Sequence, residues 1–313
     1  MATNENLLHS SIGDWLAYLD RQGKSRLTVA AYRRGVCHFA YWCQQIWGQP
    51  FEPMTVLPRD VRDWQLHQRT VEKAAPNTIN LRMAALSGYF KWAVGDGIAQ
   101  ADPVTDAPYI RIQKCKPQGL SGRELRRLLR AVYREGNRRD IAIIEVLAGT
   151  GVRVSELLRL SVNDVHMSKR SGYLIVRQGK QGTYREIPLT KDVRRALGDY
   201  LETHPDKEEN TAPLWAGSRG SLKHRSSILC LLNKYTLRAS LSAIGPHQLR
   251  HTFATQYLTA NPNDLRGLAS LLGHTDLNSV MIYTEPTLND LTARMERVAM
   301  GVVDDEIWKM EKA

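Results

Sequence analysis

The sequence predicts a mainly α-helical protein of two domains, with a small β-sheet in the second. At 313 residues the chain is longer than one hydrophobic core usually covers. Apolar residues recur at helical spacing through the first hundred residues, and two short β-like runs flank residue 180. We therefore expect a helical domain over residues 1–106, a linker over 107–119 and a second domain over 120–313.

The N-terminal domain is predicted to consist of helices. Apolar residues recur at helical spacing from residue 7 to residue 45 with a break near Gly23, which indicates two helices. Thr28 is the expected N-cap of the second helix. Residues 58–69 and 76–94 each begin with proline and predict two further helices.

The linker is predicted from its composition. Residues 107–119 contain two prolines together with Arg111 and Lys114, and no apolar period is sustained through them. A basic connection between the domains is expected here.

The second domain begins with helices and continues into a hairpin. Ser121 and Glu124 have the spacing of a capping box, and residues 141–148 form an apolar helical run. Residues 173–177 and 183–189 are β-like, so they are expected to pair across the intervening glycines.

Charge and cysteine content narrow the class of protein. Lys and Arg number 43 against 32 Asp and Glu, giving a net charge of +11 and a pI near 9.6. This excess favours a polyanionic partner such as nucleic acid, although a merely basic protein remains an alternative. Cys37, Cys43, Cys115 and Cys230 are scattered, which argues against a disulfide framework or a zinc finger.

The chain shows no sign of membrane insertion or export. No apolar run approaches the ~18 residues that a membrane span needs. The first ten residues lack the basic start and apolar stretch of a secretory signal. We expect a cytoplasmic protein that does not contact membranes.

Two cationic residues occupy exposed turns of the second domain. Residues 151–157, Gly-Val-Arg-Val-Ser-Glu-Leu, place Arg153 at the start of a helix, where an anion would be stabilised. Lys180 lies at the predicted hairpin tip, from which an ammonium group can enter a DNA groove and donate a proton. Taken separately, each also fits an ordinary surface cation.

A histidine-rich helix follows later in the domain. Within residues 246–252, Pro-His-Gln-Leu-Arg-His-Thr, His247 and Arg250 are i,i+3 neighbours able to hold two oxygens of one phosphate. His247 and His251 have the i,i+4 spacing of zinc proteases. Gln248 replaces the glutamate base of those enzymes and Arg250 would repel a dication, so no metal site is predicted.

The last two candidates lie near the C-terminus. Gly273 fits a helix end and is followed by His274. Tyr283 comes shortly after, and only its order and position distinguish it from the other tyrosines of the chain.

In this order, the motifs resemble those of the tyrosine recombinase (phage integrase) family, which includes bacterial recombinases that resolve chromosome dimers and recombinases of mobile elements. The resemblance covers nearly the whole chain, and residues 25–32 and 77–92 look like the SAM-like core-binding domain of that family. The family's six catalytic positions are matched by Arg153, Lys180, His247, Arg250, His274 and Tyr283, and a supporting acid by Glu156. Residues 181–184 depart from the usual glycine and basic residues, which leaves the hairpin's DNA contacts open.

The resemblance implies site-specific recombination through a covalent 3'-phosphotyrosine on Tyr283, without metal, nucleotide or other cofactor. Positive charge from Arg153 and Arg250, with a hydrogen bond from His274, would stabilise the phosphate in the transition state. His247 is the candidate base and Lys180 the candidate acid.

The resemblance also implies partners. The two domains would clamp duplex DNA at a specific recombination site, and four protomers, identical or of two kinds, would assemble on two sites, with accessory directionality proteins possible. The candidate DNA contacts are Lys24, Arg33, Arg34, Arg82, Lys91, Arg111 and Lys114. A helical pattern after Tyr283 fits docking on a neighbouring protomer or on its own domain.

Two rival functions remain open from the sequence. A type IB topoisomerase shares the tyrosine chemistry but relaxes supercoils. A DNA-binding regulator would carry the same residues without cleaving DNA.

Overall fold

The computed structural model describes residues 9–112, 119–134, 137–177, 184–205, 209, 211–217 and 220–273, together with residues 281, 291–292 and 295–296. The chain divides into two compact units, Met1–Cys115 and Lys116–Ala313.

Helices form the first unit, and the predicted helices are confirmed. They are α1 (Ser10–Arg21), α2 (Arg26–Trp47), α3 (Pro58–Thr70) and α4 (Pro76–Gly95). Gly23 takes a left-handed φ of 69° between the first two, which explains the break there. Aromatic side chains fill the core, where Trp15, Phe39 and Tyr89 are at most 1% exposed.

The start of α2 corrects one prediction. Thr28 is not the N-cap, because the helix begins at Arg26 and Ser25 caps it: the Ser25 Oγ accepts a hydrogen bond from the Thr28 amide at 3.1 Å. Thr28 is therefore the third residue of the helix. Both residues are good caps by type, and Ser25 is the one with the extended backbone that a cap requires.

The first residues of the predicted linker pack on the first unit. Ala107 is buried, and the Asn80 side chain exchanges two hydrogen bonds of 2.9 Å with the backbone of Ile110. The Gln65 amide donates to the Pro108 carbonyl oxygen at 2.9 Å. Residues 113–118, which include Lys114, lie outside the described residues.

The second unit begins with a tight contact to its own helix. A side chain on Gly119 would meet the Thr252 amide nitrogen at 2.9 Å, and the Leu120 amide donates to the Thr252 Oγ1 at 2.7 Å. These contacts fix residues 119 and 120 to a later helix of the same unit.

The described helices of this unit include a buried central one. They are α5 (Gly122–Arg134), α6 (Arg138–Thr150), α7 (Val154–Leu157), α8 (Lys191–Leu201), α9 (Arg225–Arg238), α10 (Pro246–Ala260) and α11 (Leu265–Leu272). Ser121 and Glu124 form the predicted capping box before α5. Helix α6 is buried along most of its length and packs on α5, α8 and α10. Among the residues that the structure describes, no helix has both the length and the apolar character to cross a membrane.

A three-stranded antiparallel sheet carries the predicted hairpin. Its strands are β1 (Val165–Met167), β2 (Gly172–Arg177) and β3 (Tyr184–Pro188), paired in that order. The two predicted strands are confirmed, whereas β1 was missed because it has only three residues. The tip, residues 178–183 with Lys180, is outside the described part. A two-stranded sheet of β4 (Ala216–Gly217) and β5 (Gly220–Ser221) follows α8.

Gly151 ends α6 in a conformation and a space that exclude a side chain. Its φ is 63°, and an added Cβ would lie 2.5 Å from Phe253 and 2.9 Å from Leu272. The turn between α6 and α7 therefore depends on glycine.

We expect Gly151→Ala to lower the free energy of unfolding by about 1–3 kcal/mol. The added methyl group would press on Phe253 and Leu272, and alanine would be strained at this positive φ. Urea denaturation would measure the loss. Gly198→Ala is the matched control, since α8 leaves open space at this glycine and alanine is the better helix former. Equal stability of the two variants would contradict the expectation.

Candidate active site

The turn after α6 places Arg153 at the start of α7, as predicted. The Arg153 amide donates to Glu156 Oε2 at 2.8 Å, and its Nη1 donates to Glu156 Oε1 at 3.0 Å. The arginine side chain is 42% exposed. Because α7 is a single turn, the cation rather than a helix dipole is what this turn offers to an anion.

Glu156 is buried between two arginines. From β3, Arg185 donates Nη1 to Oε1 at 3.2 Å and Nη2 to Oε2 at 2.8 Å. Burial by itself would raise the pKa of Glu156, but hydrogen bonds from Arg185 and from the Arg153 amide outweigh it and hold the pKa below its ordinary value. The carboxylate is therefore charged at neutral pH, where it orients Arg153.

Arg250 is buried beneath the same turn. Its Nη1 donates to the Gly151 carbonyl oxygen at 2.7 Å and its Nη2 to the Leu272 carbonyl oxygen at 2.9 Å, with the residue 3% exposed. Arg250 thus joins α10 to the ends of α6 and α11. Its hydrogen bond to Gly151 reaches the backbone two residues before Arg153.

The end of α11 receives a second arginine. Arg185 Nε donates to the Leu271 carbonyl oxygen at 2.8 Å, next to the Leu272 carbonyl that Arg250 binds. Gly273 then ends the helix with a left-handed φ of 64°, which confirms the predicted helix end. Two cations at a helix C-terminus are favourably placed with respect to its dipole.

The two histidines of α10 lie close to Arg250. The rings of His247 and His251 are 4.4 Å apart between centroids. Burial lowers the pKa of His247, and the charges of Arg250, Arg225 and Arg153 lower it further. Burial, His247 and Arg250 lower the pKa of His251 to about 4. Both imidazoles are predominantly neutral at neutral pH.

The structure brings together four of the seven predicted site residues: Arg153, Glu156, His247 and Arg250. Lys180, His274 and Tyr283 lie outside the described residues. In the sequence, His274 directly follows Gly273, the residue that ends α11.

Two residues of this region were not predicted from sequence. Arg185 lies on the same face of β3 as buried Ile187, so a charged residue at an inward strand position was a signal that a buried partner existed. Arg225 begins α9 and acts on His247 only through the tertiary fold. No sequence pattern indicated it.

The candidate DNA contacts of the first unit differ in their surroundings. Exposed side chains belong to Lys24, Arg33, Arg34, Lys91 and Arg111. Arg82 is instead half-buried, and its Nη1 donates to Gln68 Oε1 at 3.0 Å and to Glu72 Oε2 at 2.9 Å. Its guanidinium is thus held by side chains of the first unit.

Comparison with known proteins identifies both parts of the chain. Residues 118–289, more than half of the chain, match the model of the phage integrase family, and residues 12–100 match the phage integrase N-terminal SAM-like domain. Tyrosine recombinase XerC of Roseiflexus castenholzii is 32% identical over 274 residues, covering 85% of each chain. Tyrosine recombinase XerA of Pyrococcus horikoshii is 31% identical over 304 residues, covering 96% of this chain and 98% of the relative.

Solved structures agree with this assignment. A crystal structure of XerA recombinase has 26% identity and a TM-score of 0.52, covering 92% of this chain and 97% of that one. A lambda integrase dimer bound to a COC' core site has 19% identity and a TM-score of 0.70 over 89% of this chain and 77% of that one, and it supports the fold. The chain therefore belongs to the phage integrase family and is a site-specific tyrosine recombinase.

Proposed function

We propose that this recombinase cleaves and rejoins double-stranded DNA at a specific site through a 3'-phosphotyrosine on Tyr283. The observation that supports it most is the gathering of Arg153, Arg250 and His247 around the turn that follows α6. Family membership supports the reaction class, and the residue roles are our proposal.

The charge balance of the region suits a phosphate. Arg153 and Arg185 share one carboxylate, Glu156, and Arg250 binds backbone carbonyl oxygens in its described contacts, so positive charge remains in excess. A phosphodiester gains negative charge on its non-bridging oxygens as the pentacoordinate transition state forms. We assign the stabilisation of that charge to Arg153 and Arg250, with His274 as a further hydrogen-bond donor.

The proton transfers are assigned to two other residues. His247 takes the proton of the Tyr283 hydroxyl as its oxygen bonds to phosphorus, and Lys180 gives a proton to the 5'-oxygen that leaves. Attack by a 5'-hydroxyl on the phosphotyrosine reverses these steps and rejoins the strand. The reaction is proposed to need neither metal, nucleotide nor other cofactor.

A pH dependence follows from this role of His247. The imidazole must be neutral to accept a proton, and its pKa lies below 6.5. We expect the cleavage rate on pre-bound DNA to stay level from neutral pH to about 6.5 and to fall below it as His247 becomes protonated.

Single-turnover cleavage across pH 5–8 would measure this dependence. His247→Gln should be slower and should lose the acid limb. His251→Gln is the control and should keep it. An unchanged acid limb in His247→Gln would assign the base elsewhere.

The assembly and location are also proposals. Exposed basic residues of the first unit would follow the DNA backbone, and four protomers, identical or mixed, would act on two sites, aided by accessory directionality proteins. We place the reaction in the cytoplasm. The helical segment after Tyr283 is proposed to dock on a protomer of this assembly.

The proposed function is tested by trapping the intermediate. DNA fragments covalently bound to the protein in the source cell would give the site, and a nicked duplex of that site should trap a covalent complex. Plasmids with two sites should yield recombinants. Relaxation of plasmids that lack the site, without recombinants, would favour a topoisomerase, and absence of any cleavage would favour a regulator.

A further inference from the structure

Arg185 is not one of the six proposed catalytic residues. Its guanidinium binds the carboxylate that orients Arg153 and the end of the helix that precedes His274. It binds both oxygens of Glu156, at 3.2 and 2.8 Å, and the Leu271 carbonyl oxygen at 2.8 Å. Its side chain is 9% exposed, so these bonds are shielded from water. A single residue of β3 therefore joins the turn at α7 to the end of α11.

We propose that Arg185 is a positioning residue for strand cleavage, which holds Arg153 through Glu156 and holds the end of α11 from which the chain continues to His274. This inference rests on the proposed function of the site. Arg185 is assigned no contact with DNA.

The contact with Glu156 matters for the charge on Arg153. Glu156 is 8% exposed and receives hydrogen bonds from Arg153 and Arg185. Without Arg185, the buried carboxylate would be balanced by Arg153 alone, which would be drawn inward and offer less positive charge to a phosphate. Arg185 thus leaves the partly exposed Arg153 available for the substrate.

The contact with Leu271 matters for geometry. Leu271 and Leu272 present successive carbonyl groups in the last turn of α11, and Arg185 and Arg250 each bind one of them. Loss of either donor leaves a carbonyl group at the helix end without that partner and loosens the helix end. A displacement of about 1 Å at a reacting group can cost on the order of 100-fold in rate.

The experiment separates cleavage from folding and from DNA affinity. Arg185→Gln, Arg185→Lys, Glu156→Gln and the double variant Arg185→Gln with Glu156→Gln would be compared with wild type in urea denaturation, DNA binding and single-turnover formation of the covalent complex. Arg127→Gln is the matched control, because Arg127 also donates to helix-end carbonyls, those of Ala239 and Ser240 at the end of α9.

We expect Arg185→Gln to slow cleavage by on the order of 10- to 100-fold while the DNA Kd changes by less than about threefold. Arg185→Lys should recover part of the rate, since it keeps one charge-assisted bond. The double variant should be little slower than the slower single variant, because both residues act through one network. Arg127→Gln should cleave at the wild-type rate.

Several results would overturn the inference. A folded Arg185→Gln that cleaves within about threefold of wild type shows no positioning role. Equal losses of DNA affinity and cleavage rate would make Arg185 a DNA contact, and multiplicative effects in the double variant would exclude action through Glu156. If Arg185→Gln does not fold, Arg185→Lys decides by the same criteria. A wild-type protein that forms no covalent complex would instead contradict the proposed function.

Discussion

Replacement of Tyr283 by phenylalanine is expected to abolish the covalent complex with nicked site DNA while leaving DNA affinity close to wild type. The substitution removes one oxygen, the atom proposed to bond to phosphorus, and leaves the apolar ring in place. Denaturing gel electrophoresis of the trapped complex would measure the loss. Peptide mapping of the wild-type complex should find the DNA on the peptide that contains Tyr283.

A matched tyrosine controls for a general effect of losing a hydroxyl. Tyr257 lies on α10 in the same unit and its hydroxyl donates to Asp264 at 2.6 Å. Tyr257→Phe should form the covalent complex at the wild-type level. A complex that persists in Tyr283→Phe would move the nucleophile to another residue and end the proposed mechanism.

Arg250→Gln is expected to have the second largest effect. It removes a cation proposed to stabilise the transition state, and loss of one such donor commonly costs on the order of 100- to 1,000-fold in rate. It also takes the donor from two buried carbonyls, those of Gly151 and Leu272. An unsatisfied buried group costs about 1–3 kcal/mol, so the free energy of unfolding should fall as well.

Single-turnover cleavage with saturating protein and urea denaturation would measure the two effects of Arg250→Gln separately. Arg250→Lys keeps the charge but not the planar fork that binds both carbonyls, so it should recover part of the rate and little of the stability. A stable Arg250→Gln that cleaves within about tenfold of wild type would show that this arginine is not needed for charge stabilisation.

The helices could be predicted from sequence because their signals are local. Proline starts placed α3 and α4, the apolar period placed α6, and the left-handed Gly273 was expected as a helix end. Thr28 failed as a cap because Ser25, three residues earlier, offers the same chemistry. Strand β1 was missed because three residues give too short an alternation to recognise.

The site was predictable only in its local parts. Residues 151–157 predicted Arg153 at the start of a helix, the resemblance implied Glu156 as a supporting acid, and the structure pairs the two. The i,i+3 spacing of His247 and Arg250 suggested a shared phosphate clamp, which stays a prediction. The two carbonyl groups that the guanidinium of Arg250 binds come from tertiary packing, so no local pattern indicated them. The pairing of Arg185 with Glu156 joins residues far apart in sequence, which no local pattern records.

The close contact of Gly119 with Thr252 sets a practical limit on hybrid enzymes. A graft that gives this second unit the front half of a relative should keep the native chain from Gly119 onward, since any larger residue there would press on α10. The position of Ile110 should come from the same protein as the first unit, because the Ile110 backbone is hydrogen-bonded to the Asn80 side chain. The splice therefore belongs within the few residues between these two contacts.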